Sequence, residues 1–326
     1  MIKSMGSSPL RTQERNTWQW LQGILRLQGS VIPNILPRVL ACGFLGFVVS
    51  ILYRQGYQVS YPFADVIPSI VLGLLLVFRT NTAYDRYWEG RKIWGNLMDT
   101  NRNIARQIWV FVEEKSPQDH VHKVMVLRLV IAMAIALKLK LRGQPINEEI
   151  QELLPDHQFQ KLQVANHPPL EIAFWINDYL NQQARRGCLG TYELTSISAL
   201  LAKQVESMGA CDRILKTPLP LAYAIHLRQL LTIYCMLLPF QWVSKWELLT
   251  GPMVGLLSFT LLGIEEIGLE IENPFGTDPN DLPLDAICKL MGRDIEDTIV
   301  LNPTPCHWLH PSSNLDLPQP EPAPRF

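Results

Sequence analysis

The sequence predicts an all-α protein: four membrane spans joined to a helical domain in water. Three observations predict it. Four apolar segments are bounded by basic residues, a long polar middle keeps helical spacing, and one apolar segment runs without a breaker into a charged, aromatic helix. At 326 residues, 48% hydrophobic and 18% charged, the chain is too polar to lie wholly in a membrane. It also carries apolar runs too long for an ordinary soluble protein.

Residues 1–37 lack the charged start, apolar stretch and small-residue cleavage site of a secretory signal. Trp18, Trp20, Leu21, Ile24 and Leu25 instead predict a short amphipathic helix at the membrane surface. The four apolar segments are Val39 to Tyr53, Pro62 to Phe78, Gln229 to Ser244 and Leu248 to Ile264. Each is at the short limit for a hydrocarbon core of about 30 Å. Arg38, Arg54, Arg79, Arg228 and Lys245 flank them, and such side chains extend a short span by burying their stems and placing their heads at the interface. Lys3, Arg11, Arg15, Arg26 and Arg38 precede the first span, and Arg79, Arg86, Arg91 and Lys92 follow the second. The opposite connections hold little beyond Arg54 and Lys245, which predicts a multi-pass cell-membrane protein with both termini cytoplasmic.

The predicted order is a cytoplasmic N-terminal segment (1–37), spans one and two (38–83), a helical cytoplasmic domain (84–217), spans three and four (218–271), a cytoplasmic loop and helix (272–300) and a proline-rich tail (301–326). Val124 to Leu141 resembles a fifth span, but Arg128, Lys138 and Lys140 break its apolar run, so it reads as the core helix of the cytoplasmic domain. The tail has no periodic apolar face and reads as extended or disordered.

A net charge of −1 argues against nucleic acid as a partner, since phosphate binding needs a basic surface that displaces counterions. The six cysteines form no CxxC pair, and Cys42 and Cys235 lie inside apolar runs, so they read as reduced thiols. Cys306, His307 and His310 lack a second ligand cluster, and His120 to His122 does not supply one in sequence. His226 is the only histidine near a span, with no Gly-x-Ser-x-Gly beside it, so the chain reads as a non-enzyme.

Val66, Ile70, Leu74 and Phe78 recur every fourth residue and form an apolar stripe on the second span, with core packing as the plain explanation. The helix continues as FRTNTAYDRYWEGRKIWG, Phe78 to Gly95, and a second unusual stretch, IENPFGTDPNDLPLDAI, runs from Ile271 to Ile287. These two stretches, in this order and at this separation, resemble the bestrophin family of pentameric ion channels. The resemblance runs from about Trp18 to about Ile299.

The resemblance implies a homopentamer with an axial pore for small inorganic ions, chloride and similar anions first. It places the apolar pore neck at Val66, Ile70 and Leu74. A narrow apolar tube blocks ions by losing its water, and wetting it permits flow. The family's aromatic neck residues are replaced here by aliphatic ones, which removes any selectivity based on ring faces or edges. Asp65 sits at the outer mouth, where it either colours the vestibule towards cations or pairs with Arg54. The family's second constriction, at the cytoplasmic exit, falls near Leu194, Thr195 and Ile197; Thr195 is the candidate because a hydroxyl offers hydrogen bonds to an ion shedding water. The alternative there is a threonine on a soluble helix surface.

Animal relatives carry a calcium clasp where this chain has Asp278 and Asp281, with Thr277 and Asn280 in place of further carboxylates. The same two acids also suit the cap of a following helix near Leu282, and no other cofactor is expected. Glu265, Glu266 and the Asp85–Lys92 cluster read as inter-helix ion pairs at the inner interface. Two further functional readings stand beside the anion channel: a cation-selective channel of the same build, and a membrane scaffold without flux.

Overall fold

A computed structural model describes residues 29–60 and 66–301, with Val66 and Ile67 described by backbone only. Every regular element among the described residues is a helix: α1 Ile32–Arg54, α2 Val66–Phe111, α3 Pro117–Leu141, α4 Glu148–Gln151, α5 Asp156–Val164, α6 Pro168–Arg185, α7 Thr191–Lys216, α8 Leu221–Trp246, α9 Thr250–Glu270 and α10 Leu284–Leu301. The N-terminal amphipathic segment, Asp65, and the tail with Cys306, His307 and His310 lie outside the described residues.

The chain forms two compact units. The first takes the described residues through Trp94 and Gly209–Pro283, so it holds α1, the first part of α2, the end of α7, α8, α9 and the loop after α9. The second takes Gly95–Met208 and the described residues from Leu284.

In the first unit α1 packs most extensively on α9, and both meet α8. Glycines set the closeness of the α1–α9 contact: a Cβ at Gly46 would lie 2.9 Å from the Gly251 Cα, and one at Gly251 would lie 3.1 Å from the Gly43 carbonyl. Small residues let helix backbones touch where lipid supplies no hydrophobic drive for association. Ile35, Val39, Leu72, Leu76, Leu227, Leu231 and Leu262 fill the core of this unit. On α1, Leu36, Leu40, Phe44, Phe47 and Ile51 are nevertheless exposed as a second apolar stripe. A helix apolar on both its core face and its outer face suits a hydrocarbon surround.

Two described stretches are long and apolar enough to cross a membrane: Ile32–Arg54, and the 50-residue Leu221–Glu270, which contains α8, a 3-10 turn and α9. The segment expected as span two does not qualify among the described residues, because only its part from Val66 is described and Arg79 ends it. The helices exceed the apolar runs counted in sequence. Here α1 has 23 residues, α8 has 26 and α9 has 21, which at 1.5 Å per residue is roughly 30–40 Å each. Pro37 inside α1 and Pro239 inside α8 mask that continuity in sequence.

Between α8 and α9, Glu247 turns the chain with φ 43°, a left-handed conformation that suits glycine. The Ser50 and Thr250 hydroxyls lie 2.8 and 2.7 Å from the Glu247 carbonyl oxygen and hold the turn. Glu247→Gly is therefore expected to stabilise the protein by about 1 kcal/mol, read as a higher midpoint in thermal unfolding.

The second unit is built around α3, whose residues from Val126 to Leu139 are almost all buried, with α6, α10 and α4 against it. Helix α3 is thus a core helix, covered on all sides by protein. Lys138 within it is buried, and its ammonium meets Glu149 at 2.7 Å and Asp285 at 2.8 Å. At the start of α3, Asp119 accepts from the Ser116 and Lys115 N–H groups and from Arg186 at 2.6 Å. The Arg186 guanidinium, aided by the Ser116 and Lys115 donors, holds this carboxyl far below its ordinary 3.8. The folded state therefore binds that proton less tightly than the unfolded chain does. The stabilisation is complete above about pH 3.8 and fades as pH falls below it. Asp119→Asn is expected to lower the unfolding midpoint at pH 7, with the gap from wild type closing only as pH falls below about 3.8.

Candidate functional site

The register of α2 separates two faces. Leu72, Leu76, Arg79, Ala83, Gly90 and Trp94 are buried, at the 3.6-residue spacing of one helix face. Ile70 is 63% exposed and Leu74 54%, with Phe78 similarly open. At 100° per residue Leu74 lies about 40° round from Ile70, while Leu72 and Leu76 fall roughly opposite. The stripe read from sequence therefore does not pack into the core of its own unit. Pro68, three residues into α2, sits in the first turn, where its missing N–H costs no helical hydrogen bond.

Below the stripe, Arg79 is only 1% exposed and does not carry its charge to the surface, unlike the interfacial role expected from sequence. Its Nη1 donates to Glu265 Oε1 at 3.3 Å, and Nη2 lies 3.9 Å from Glu272. Glu265 is equally buried, and is also approached by Arg228 at 3.5 Å and Arg38 at 3.8 Å; Arg38 pairs more closely with Glu266, at 3.3 Å. The Arg79 stem passes α9 beside Gly268, where a Cβ would lie in ordinary contact with it at 3.7 Å. Three arginines from α1, α2 and α8 thus converge on the acids at the end of α9.

The Asp85–Lys92 cluster does not join that network. Arg86 donates instead to backbone carbonyls of Ile214 at 2.6 Å, Thr217, and Glu272 at 3.1 Å, which ties the end of α7 and the loop after α9 to α2. A cation at the last carbonyls of a helix offsets the negative end of its dipole. Glu89 meets Arg213 in an exposed pair.

In the second unit Thr195 is exposed near the start of α7, and its hydroxyl donates to the Thr191 carbonyl at 2.9 Å. Ile197 is fully buried, so of the neighbouring candidates it lines nothing.

In the loop after α9, the Asp281 Oδ2 accepts from the Asp278 N–H at 2.7 Å, and the next helix starts at Leu284. Asn280 reaches Glu270 at 2.6 Å and the Gly29 carbonyl at 3.2 Å, and the Leu282 N–H closes back on the Pro274 carbonyl. Phe275 is fully buried beside Gly90, where a Cβ would sit 3.2 Å from its ring. The NPFGTDPND motif thereby anchors the loop against α2. No group of three or more His, Cys, Asp or Glu side chains converges among the described residues.

These features define a helical membrane protein whose second helix presents an exposed apolar face above a buried arginine–carboxylate network. The chain belongs to the bestrophin family, matching the Bacterial/Fungal Bestrophin protein family over residues 11–297. It is 57% identical over 300 residues to a voltage-dependent anion channel-forming protein of Nostoc sp., covering 91% of this chain and 98% of the relative. A protein of the same description from Escherichia coli is 31% identical over 280 residues, covering 85% and 90%. A variant of a bacterial bestrophin homolog from Klebsiella pneumoniae superposes with a TM-score of 0.76 at 26% identity, covering 84% of this chain and 99% of that one.

Proposed function

We propose that this protein is the subunit of a homopentameric channel that passes chloride and similar small anions across the cell membrane without covalent chemistry. The observation that carries the reading is the exposed α2 face at Ile70 and Leu74, opposite the face that packs its own core. Five copies around an axis would turn that face into stacked apolar rings, with Val66 one turn above. The relatives named as anion channel-forming proteins support the ion class. Four passes with both termini cytoplasmic fit α1, the α8–α9 pair and the start of α2. Chloride-loaded liposomes carrying the purified protein should lose chloride faster than empty ones; a scaffold would leave efflux at the background rate.

Thr195 is the residue of this chain best suited to a cytoplasmic constriction, since it is exposed while Ile197 is core. Asp65 remains the candidate for an outer ring that would bring cations into play.

The loop at Asp278 and Asp281 is read as a structural turn, because a calcium ion would compete with the Asp278 N–H for the Asp281 carboxylate. Chelating calcium is expected to leave both the unfolding midpoint and the liposome flux unchanged; a drop in either would favour a clasp.

A further inference from the structure

A large cavity of the first unit lies away from the stripe. It is a groove of about 1030 Å³ along the start of α8, walled by Leu221, Ile225, Ile233 and Leu269, with Arg79, Arg228 and Glu272 at its polar part. That volume stands at the upper end of the ~300–1,000 Å³ typical of small-molecule sites. Its lining is mostly apolar; of its charged groups, Arg79 and Arg228 also face Glu265, and Glu272 is the carboxylate in the lining itself.

Three features give the polar part an anionic preference. Arg79 lines the groove and is buried, and its Nε and Nη2 have no hydrogen-bond partner. A buried, unsatisfied guanidinium donor costs free energy that an oxyanion would recover. Arg228 lies on the same wall with its head more than half exposed. The N-terminus of α8 opens here, where N-cap Pro220 makes no side-chain cap and the first turn holds no acid. Among the lining residues only Glu272 offers a negative charge to its positive dipole end. The one carboxylate in the lining, Glu272, already accepts from the Leu219 N–H at 3.0 Å.

We propose that this groove binds an anionic glycerophospholipid. The phosphate sits between Arg79, Arg228 and the start of α8, and an acyl chain lies along Leu221, Ile225 and Ile233. The inference rests on the membrane reading of α8 but not on ion selectivity. Bound lipid would brace α2 against α8 just below the stripe, giving membrane composition a hold on the pore helix.

The test uses the full-length protein in dodecyl maltoside, with thermal unfolding followed during titration of phosphatidylglycerol, phosphatidylcholine or inorganic phosphate. Phosphatidylglycerol should raise the midpoint saturably, phosphatidylcholine should not, and phosphate alone should act only at far higher concentration. Arg228→Gln should weaken half-saturation by about tenfold, as expected for loss of one charge-assisted contact. Ile225→Trp, which fills the groove and leaves both arginines in place, should abolish the response while the protein stays folded and oligomeric. Equal responses to both lipids, a response to phosphate at the same concentration as to lipid, or an unaltered response in both variants would overturn the proposal. Dissociation of the oligomer by Ile225→Trp would also overturn it, by showing that a second copy covers the groove. Because the readout is lipid-dependent stability, failed chloride flux leaves this result standing, and the reverse holds too.

Discussion

Glu265→Ala is expected to destabilise the protein by about 3–5 kcal/mol, the usual cost of removing one partner from a buried ion pair. Glu265 is 1% exposed and stands between Arg79, Arg228 and Arg38, so its loss strands positive charge, most severely at Arg79, which is as deeply buried. Glu265→Gln keeps the volume and a hydrogen-bond acceptor while removing the charge, and should fall between wild type and alanine. Exposed pairs such as Glu89–Arg213 serve as the internal control: Glu89→Ala should move stability by well under about 1 kcal/mol. Thermal unfolding of the purified protein followed by tryptophan fluorescence measures all three. Equal midpoints for Glu265→Ala and Glu89→Ala would show that the network is not held out of water as described.

The second large effect is on conduction. The double change Ile70→Ala and Leu74→Ala should raise flux through the channel on the order of tenfold, equivalent to ~1.4 kcal/mol off the barrier to wetting. Both side chains leave the core face of α2 untouched, so stability should barely change, whereas Leu72→Ala and Leu76→Ala on the opposite face should each cost about 2–5 kcal/mol in stability. Comparing the two pairs separates pore lining from packing. Flux and stability falling together in the Ile70 and Leu74 variant would place those residues in ordinary helix contacts.

Local pattern carried the parts of this fold that depend on neighbours in sequence. The four-residue spacing of Ile70 and Leu74 was visible, and so was the reading of Val124 to Leu141 as a core helix, because Arg128, Lys138 and Lys140 break the apolar run. The structure gives Lys138 its buried partners Glu149 and Asp285. Contacts across the chain were not visible. Arg79 looked like a flanking arginine because its partner Glu265 lies 186 residues away, and no periodicity links the two. Arg86 looked like one member of a charge cluster, while its actual partners are carbonyls, which every residue possesses. Asp281 looked like a helix cap or metal ligand because short oxygen-rich loops serve both ends, and only geometry shows its carboxylate turned onto its own loop. The Gly46–Gly251 approach has a faint signal in the small residues Gly43, Gly46, Gly251 and Gly255, but their pairing emerges only when α1 and α9 meet.

An anion-conducting pore lined by the exposed face of α2 fixes the reversal potential of the purified protein in a planar bilayer under an asymmetric potassium chloride gradient. An anion-conducting pore gives a reversal near the chloride equilibrium value, which moves when chloride is replaced by a large impermeant anion and stays when potassium is replaced by a large impermeant cation. A reversal near the potassium equilibrium value would contradict it and turn attention to the Asp65 ring, and the absence of any current would leave a scaffold.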